Sequence, residues 1–180
     1  CTNSDTIQIT VIAPIVPKIG IVTQSSDNHN LIAWEPDHHS GIAYYNVWRQ
    51  KSNGTFEIID TIFKNDTTVS IDKGVNPKAM SYNYALTSTD SACGNTSSLS
   101  MPHSSTHLSC VLLKDGRVKA TWNNYKGLNI SEYIIYRAYK GNKLTPYDTV
   151  SAESGLTTVY YDTNPLGLNS YYQVRFDLPE

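Results

Sequence analysis

The chain repeats itself, and that repeat leaves few folds open. Asn30-Leu31-Ile32-Ala33-Trp34 returns as Val118-Lys119-Ala120-Thr121-Trp122. Tyr45-Asn46-Val47-Trp48-Arg49 returns as Tyr133-Ile134-Ile135-Tyr136-Arg137, and Asp60-Thr61-Ile62 as Asp148-Thr149-Val150. Each of these pairs is 88 positions apart. Val69-Ser70-Ile71-Asp72 matches Val159-Tyr160-Tyr161-Asp162 at an offset of 90, and Tyr82, Tyr84 and Leu86 match Tyr172, Val174 and Phe176 at the same offset. A two-residue insertion before the fifth strand of the second copy accounts for the change. One offset held across unlike residues reads as two tandem domains.

Each copy is written in period two, the pattern of half-buried strands. The 13 tyrosines against 3 phenylalanines, with abundant Thr, suit pleated surfaces. The spacing predicts strands over 19–24, 29–35, 43–51, 55–63, 67–72, 80–89 and 96–101 in the first copy. In the second it predicts 107–113, 117–123, 131–139, 144–151, 156–162 and 169–178. Asn53-Gly54 and Gly141-Asn142 mark equivalent hairpin turns, and Asp115-Gly116 marks another. The fold class is therefore all-β, two tandem seven-stranded sandwiches with the second lacking its last strand. A missing edge strand exposes unpaired backbone, so a fragment of a longer protein is expected.

Composition removes several function classes. Net charge is −2 and charged residues are 17%, which is not the footprint of a nucleic-acid binder. The longest apolar stretch, 11–22, is broken by Pro14, Pro17 and Lys18, and no transmembrane segment is expected. No nucleophile elbow, zinc-protease motif, phosphate loop or dinucleotide fingerprint is present. No catalytic residue, metal or cofactor is expected. The most polar cluster is Glu35, Asp37, His38 and His39, which reads as a solvated loop or a contact loop spanning 35–41.

The chain resembles tandem fibronectin type III domains. The marks are a Trp on the second strand (Trp34, Trp122), a Tyr-x-aliphatic pattern on the third (Tyr45/Val47, Tyr133/Ile135) and a Tyr opening the sixth (Tyr82, Tyr172). The resemblance implies domains at 16–104 and 105–180, with Trp34, Tyr45, Tyr82, Trp122, Tyr133 and Tyr172 in the cores. No cysteine pair joins the second and sixth strands, which disfavours the immunoglobulin reading. The run Asp90-Ser91-Ala92-Cys93-Gly94-Asn95 resembles such modules in large bacterial surface and secreted proteins, which implies an extracellular or cell-surface setting. Residues 1–15 read as the last strand of a PKD-like module plus a linker, or as a lipoprotein start with Cys1 acylated. The strand pattern at 6–12 could pair with an open edge in a neighbouring chain.

Strand alternation turns Trp48 outward if Tyr45 and Val47 face inward. Tyr136 is its counterpart, and Tyr171 shares that face, so these three are candidate contacts for a glycan or a host or matrix protein. Cys110 alternates with Leu108 and Leu112 as a buried thiol; a bridge to Cys93 would need Cα atoms within about 7 Å. His103 and His107 flank the junction as a polar linker. Thr61 and Thr149 follow aspartates in a pattern that resembles an O-glycan acceptor. The leading function is a spacer that orients other domains of a parent protein; the alternative is an adhesion or carbohydrate- or protein-binding module using the Trp48 face or the 35–41 loop.

Overall fold

The computed structural model describes residues 14–36 and 41–178. Seven strands precede residue 105: β1 (Ile19–Gln24), β2 (Asn30–Trp34), β3 (Ile42–Gln50), β4 (Phe56–Phe63), β5 (Val69–Asp72), β6 (Asn83–Asp90) and β7 (His103–Ser104). Six follow: β8 (Leu108–Leu112), β9 (Val118–Asn123), β10 (Glu132–Tyr139), β11 (Thr145–Ser151), β12 (Thr157–Asp162) and β13 (Ser170–Arg175). All pairings are antiparallel.

The first group forms sheets ordered β1-β2-β5 and β4-β3-β6-β7; the second forms β8-β9-β12 and β11-β10-β13. In each group the two sheets pack face to face, because one side of every strand is apolar. Ile19, Val22, Ile32 and Trp34 meet Tyr45, Val47, Tyr84 and Leu86 in the first core, and Ala120 and Trp122 meet Tyr133 and Ile135 in the second. Trp34 lies 5.7 Å from the Tyr45 ring, tilted at 60°, and Trp122 lies 5.5 Å from Tyr133, edge-on at 77°, so each copy packs the equivalent Trp against the equivalent Tyr. Offset and edge contacts of this kind are the ones that ring quadrupoles favour.

Turn chemistry punctuates both copies alike. Gly54 and Gly141 close the β3–β4 and β10–β11 hairpins with φ of 85° and 86°, a region open to glycine at no steric cost. A bulge also recurs. The register of β3 slips between Val47 and Trp48, and that of β10 between Ile135 and Tyr136, leaving Ile59 and Tyr147 as the extra residues. Bulges increase local twist and re-aim side chains; here the extra Tyr147 ring comes to lie 3.5 Å below the Arg137 guanidinium.

Three expectations are corrected. First, the seventh strand is not 96–101. That stretch follows β6 irregularly, because serine side chains replace backbone partners: Ser97 Oγ accepts from Ser88 N–H and Ser100 Oγ from Leu86 N–H. Only His103–Ser104 forms a ladder with Asn83 and Tyr84. Second, Tyr82 is not the partner of Tyr172. Arg49 faces Tyr84 and Arg137 faces Tyr172, so the sixth strands align at an offset of 88 and the loop before the second copy's sixth strand is shorter. Tyr82 is half-buried at the edge of the first core, with its hydroxyl 3.3 Å from Asn76 O. Third, Cys110 is exposed and free, as is Cys93. Cys110 faces inward opposite Ala120, but among the described residues no strand of the facing sheet covers it.

Candidate functional site: the joint between the sandwiches

Each sandwich contains one charged cluster inside its sheets, and the two match. Asp72 accepts two hydrogen bonds from Arg49 Nη1 at 3.0 and 2.9 Å and one from the Tyr84 hydroxyl at 2.9 Å. Asp162 accepts from Arg137 Nη1 at 2.6 Å and from the Tyr172 hydroxyl at 2.7 Å. Burial alone would raise Asp162, but the hydrogen bonds from Tyr172 and Arg137 hold its carboxyl below the usual range. Tyr84 and Tyr172 are pushed up, first by burial and then by the carboxylate each one bonds. These clusters tie the end of β5 to β3 and β6, and the end of β12 to β10 and β13. A buried carboxylate of this kind is tolerable only while paired. All partners being satisfied, the clusters stabilise the fold and leave no free group for chemistry.

The joint is where the two copies differ most. After β9 the chain enters the loop 124–131, and Tyr125 at its head leaves its own sandwich. The side chain is 6% exposed and belongs to the first core cluster, beside Ile19, Val22 and Trp34. Leu128, Ile130 and Phe176 pack against that same cluster. The Tyr125 hydroxyl accepts from Val22 N–H at 2.7 Å and lies 3.0 Å from His103 Nδ1. Burial pushes the Tyr125 hydroxyl up to about 12 and holds His103 below its ordinary value. The Tyr125 backbone N–H donates to the Tyr133 hydroxyl at 2.8 Å, so the same residue is anchored in the second core.

His103 is therefore no part of a solvated linker, as the sequence had suggested: it is 4% exposed, its ring edge-on to Tyr125 at 5.7 Å. Gly127 closes over it. A Cβ at that glycine would sit 2.1 Å from His103 Cδ2, and its φ is 109°. Ser104 N–H donates to Lys126 O at 3.1 Å. His107 N–H donates to Asn123 Oδ1, and its Nε2 lies 3.0 Å from Lys78 O. Hydrogen bonds, ring contacts and apolar packing thus cross the joint at several points.

The remaining candidates are scattered. Trp48 is half-buried and donates its indole N–H to Thr87 Oγ1 at 3.0 Å, which fixes the ring against its own sheet. Beside it on the outer face, Ile58 is exposed, and Phe63, 62% exposed, meets Tyr44 edge-on. On the second sandwich Tyr136 is half-buried under the Arg175 guanidinium at 4.2 Å, and Tyr171 is 55% exposed two rows away. Glu35 is exposed at the end of β2; Asp37, His38 and His39 lie outside the described residues, as do Cys1 and the 6–12 segment. Thr61 is exposed with its hydroxyl donated to Asn46 Oδ1 at 2.8 Å, and Thr149 is exposed on β11. Among the described residues no three acidic, His or Cys groups are placed to hold a metal. No helix there is long and apolar enough to cross a membrane.

No family model matches the chain, and no curated protein matches it. Solved structures do. The FN1–FN3 domains of chicken CNTN1 are 17% identical with a TM-score of 0.43, covering 90% of this chain and 60% of that one. A two fibronectin type III domain segment of chicken tenascin is 12% identical with a TM-score of 0.39, covering 92% and 100%. The chicken interferon gamma receptor alpha chain is 9% identical with a TM-score of 0.37, covering 90% of each. The chain spans less than two thirds of the first of these. With TM-scores this low none bears on function, and the fold rests on the strand order itself: tandem fibronectin type III-like sandwiches, of three and four strands and then three and three.

Proposed function

We propose that this chain is a non-catalytic spacer that holds two sandwiches at a set angle and so orients the domains on either side of it. The observation that supports this most directly is Tyr125, a residue of the second copy seated in the core of the first. Two beads on a flexible string would each keep their own core; inter-domain motion is the default unless the interface is large and apolar. By chain topology we divide the protein at 16–104 and 105–180, with 1–15 as the end of a preceding, PKD-like module. The setting we propose is a bacterial extracellular or cell-surface protein, with the parent protein's other domains as the main partners. Small-angle scattering tests the spacer role. One narrow distribution of interatomic distances, broadened by Tyr125→Ala, is the expected result; a broad distribution in the unaltered chain overturns the reading.

A second reading, adhesion to a glycan or a host or matrix protein, draws on the exposed Tyr171 beside the Tyr136–Arg175 stack. Aromatic and Arg side chains dominate contact energies at interfaces. Binding on a glycan and matrix-protein array that Tyr171→Ala abolishes and Trp48→Ala leaves intact would support it. Strand exchange with a neighbouring chain through residues 6–12 is a further partner contact that we propose.

A further inference from the structure

The joint closes over a histidine that it can hold only in the neutral form. His103 pairs with Tyr84 of β6 in the first sandwich, and its ring is covered from the second by Tyr125, edge-on at 5.7 Å, and by Gly127. Gly127 lies against the Nε2–Cδ2 edge, where an added Cβ would sit 2.5 Å from Nε2. The ring is 4% exposed. Its Nδ1 is 3.0 Å from the Tyr125 hydroxyl, and its Nε2 has no hydrogen-bond partner among the described residues. Both nitrogens of a protonated imidazole must donate. At Nδ1 the Tyr125 oxygen would then take that N–H beside the one from Val22, and its own proton would lose Nδ1 as an acceptor. At Nε2 the N–H would meet no acceptor.

No neighbour compensates the charge. The charged and titratable groups around the ring are Lys18 before β1, Glu35 after β2, Tyr84 on β6, Tyr125 and Lys126 on the loop 124–131, and Asp177 beyond Phe176. Lys18 and Glu35 border the same cleft as His103, but among the described residues no ion pair joins either of them to the ring. Lys126 and Asp177 are exposed, and Lys126 contributes its backbone O, to Ser104 N–H. Burial pushes both tyrosine hydroxyls up, so neither ionises in mild acid. A buried charge without a partner is costly, so the ring must reach water to take a proton. Tyr84 and β1 belong to the first sandwich's own sheets. The movable cover is the loop 124–131, which is the joint itself.

We propose that protonation of His103 releases the joint: in mild acid the loop 124–131 lifts off the first sandwich while both sandwiches stay folded. This rests on the spacer reading and adds its regulation, a set angle at neutral pH that acid frees. An opened joint gives the ring its ordinary value of 6.5. While the closed form stays neutral, the ratio of open to closed chains rises about tenfold for each pH unit below that value.

The native cysteines supply the test. Cys93 lies in the first sandwich and Cys110 in the second, and both are exposed. Spin labels on the two, in a Cys1→Ser chain, report the distance across the joint by pulsed EPR. One narrow distribution is expected at pH 7.5. At pH 5.5 a second, broader population should have grown about tenfold, with the amides of β3 and β10 still protected from exchange. His103→Gln should give the same distribution at both pH values, and His107→Gln should keep the acid response. In the unaltered sequence the midpoint of opening should coincide with the titration of the His103 Cε1–H resonance, a readout that needs no variant. A distribution that stays narrow at pH 5.5, an acid response kept in His103→Gln, a midpoint apart from the His103 titration, or loss of protection in β3 and β10 along with opening would each overturn the switch and leave the spacer standing. A distribution already broad at pH 7.5 would overturn the fixed angle on which the switch rests.

Discussion

Replacing Tyr125 by phenylalanine removes one oxygen and keeps the ring, so it isolates the hydroxyl's role in joining the sandwiches. That oxygen is the acceptor for the Val22 N–H, on a residue only 2% exposed, and the partner of His103 Nδ1. A buried donor left without an acceptor costs roughly 1–3 kcal/mol. In a chain of this length each kcal/mol lowers the melting temperature by about 2–4 °C, so Tyr125→Phe should lower it by roughly 2–12 °C. Tyr125→Ala adds a cavity where the ring packs against Phe176 at 4.9 Å and should cost about 3–5 kcal/mol. The location of the loss is the sharper result. The stabilised strand, β1, belongs to the first sandwich, whereas the substitution lies in the second. Scanning calorimetry with backbone amide exchange on Ile21–Gln24 reads both quantities. Loss of protection in β1 is expected, together with one cooperative transition becoming two in Tyr125→Ala. A Tyr125→Phe melting temperature unchanged from the parent, or protection lost only in the strands after residue 105, would refute the shared-core argument.

The same joint should respond to pH. Burial holds His103 below its ordinary 6.5, so the folded state binds fewer protons than the unfolded chain once pH drops below that value, and stability should be flat above it and fall beneath it; urea unfolding at pH 7.5 and 5.0 checks this, and His103→Gln should flatten the difference. Gly127→Ala drives a Cβ into the His103 ring at a φ of 109°, and should destabilise the chain more than Gly54→Ala, whose Cβ would meet nothing within 4 Å although its φ is also positive; paired thermal melts decide. Arg137→Met strands the Asp162 carboxylate, which is 0% exposed, and should cost about 3–5 kcal/mol, whereas the double variant with Asp162→Asn should recover much of it; a double-mutant cycle by urea titration measures both. Cys93 and Cys110 should both react with a thiol reagent in the folded chain; Cys110 reacting only after unfolding would contradict the uncovered inner face of β8.

Much of this architecture was legible locally. Alternation of apolar and polar residues reports directly on which face of a strand is buried, and Trp34, Val47, Trp122 and Ile135 fall on the inner faces that alternation assigned them. Asn53-Gly54 and Gly141-Asn142 mark turns because positive φ is a property of single residues. Register across distant strands was less legible. The misalignment of Tyr82 with Tyr172 arose because Tyr82 and Tyr84 offer the same alternation, and only the pairing of Arg49 with Tyr84 separates them. The Arg–Asp–Tyr clusters were visible only as repeated letters: nothing in the spacing says that Asp72 and Asp162 turn inward to meet an arginine.

What the sequence by itself determined is the duplication, the all-β class, the turn positions, the strands other than the first copy's seventh and the inward aromatic pairs, all of them consequences of short-range patterns written twice. The tertiary structure alone decided that Tyr125 serves the other copy's core, that His103 is buried and that Cys110 is bare. The physical reason is that each of these depends on which surfaces meet after the strands have formed. Tyr125 stands where its repeat counterpart in the sequence is Asp37, at a position no shared pattern constrains, and its burial is set by a partner surface some 100 residues away along the chain.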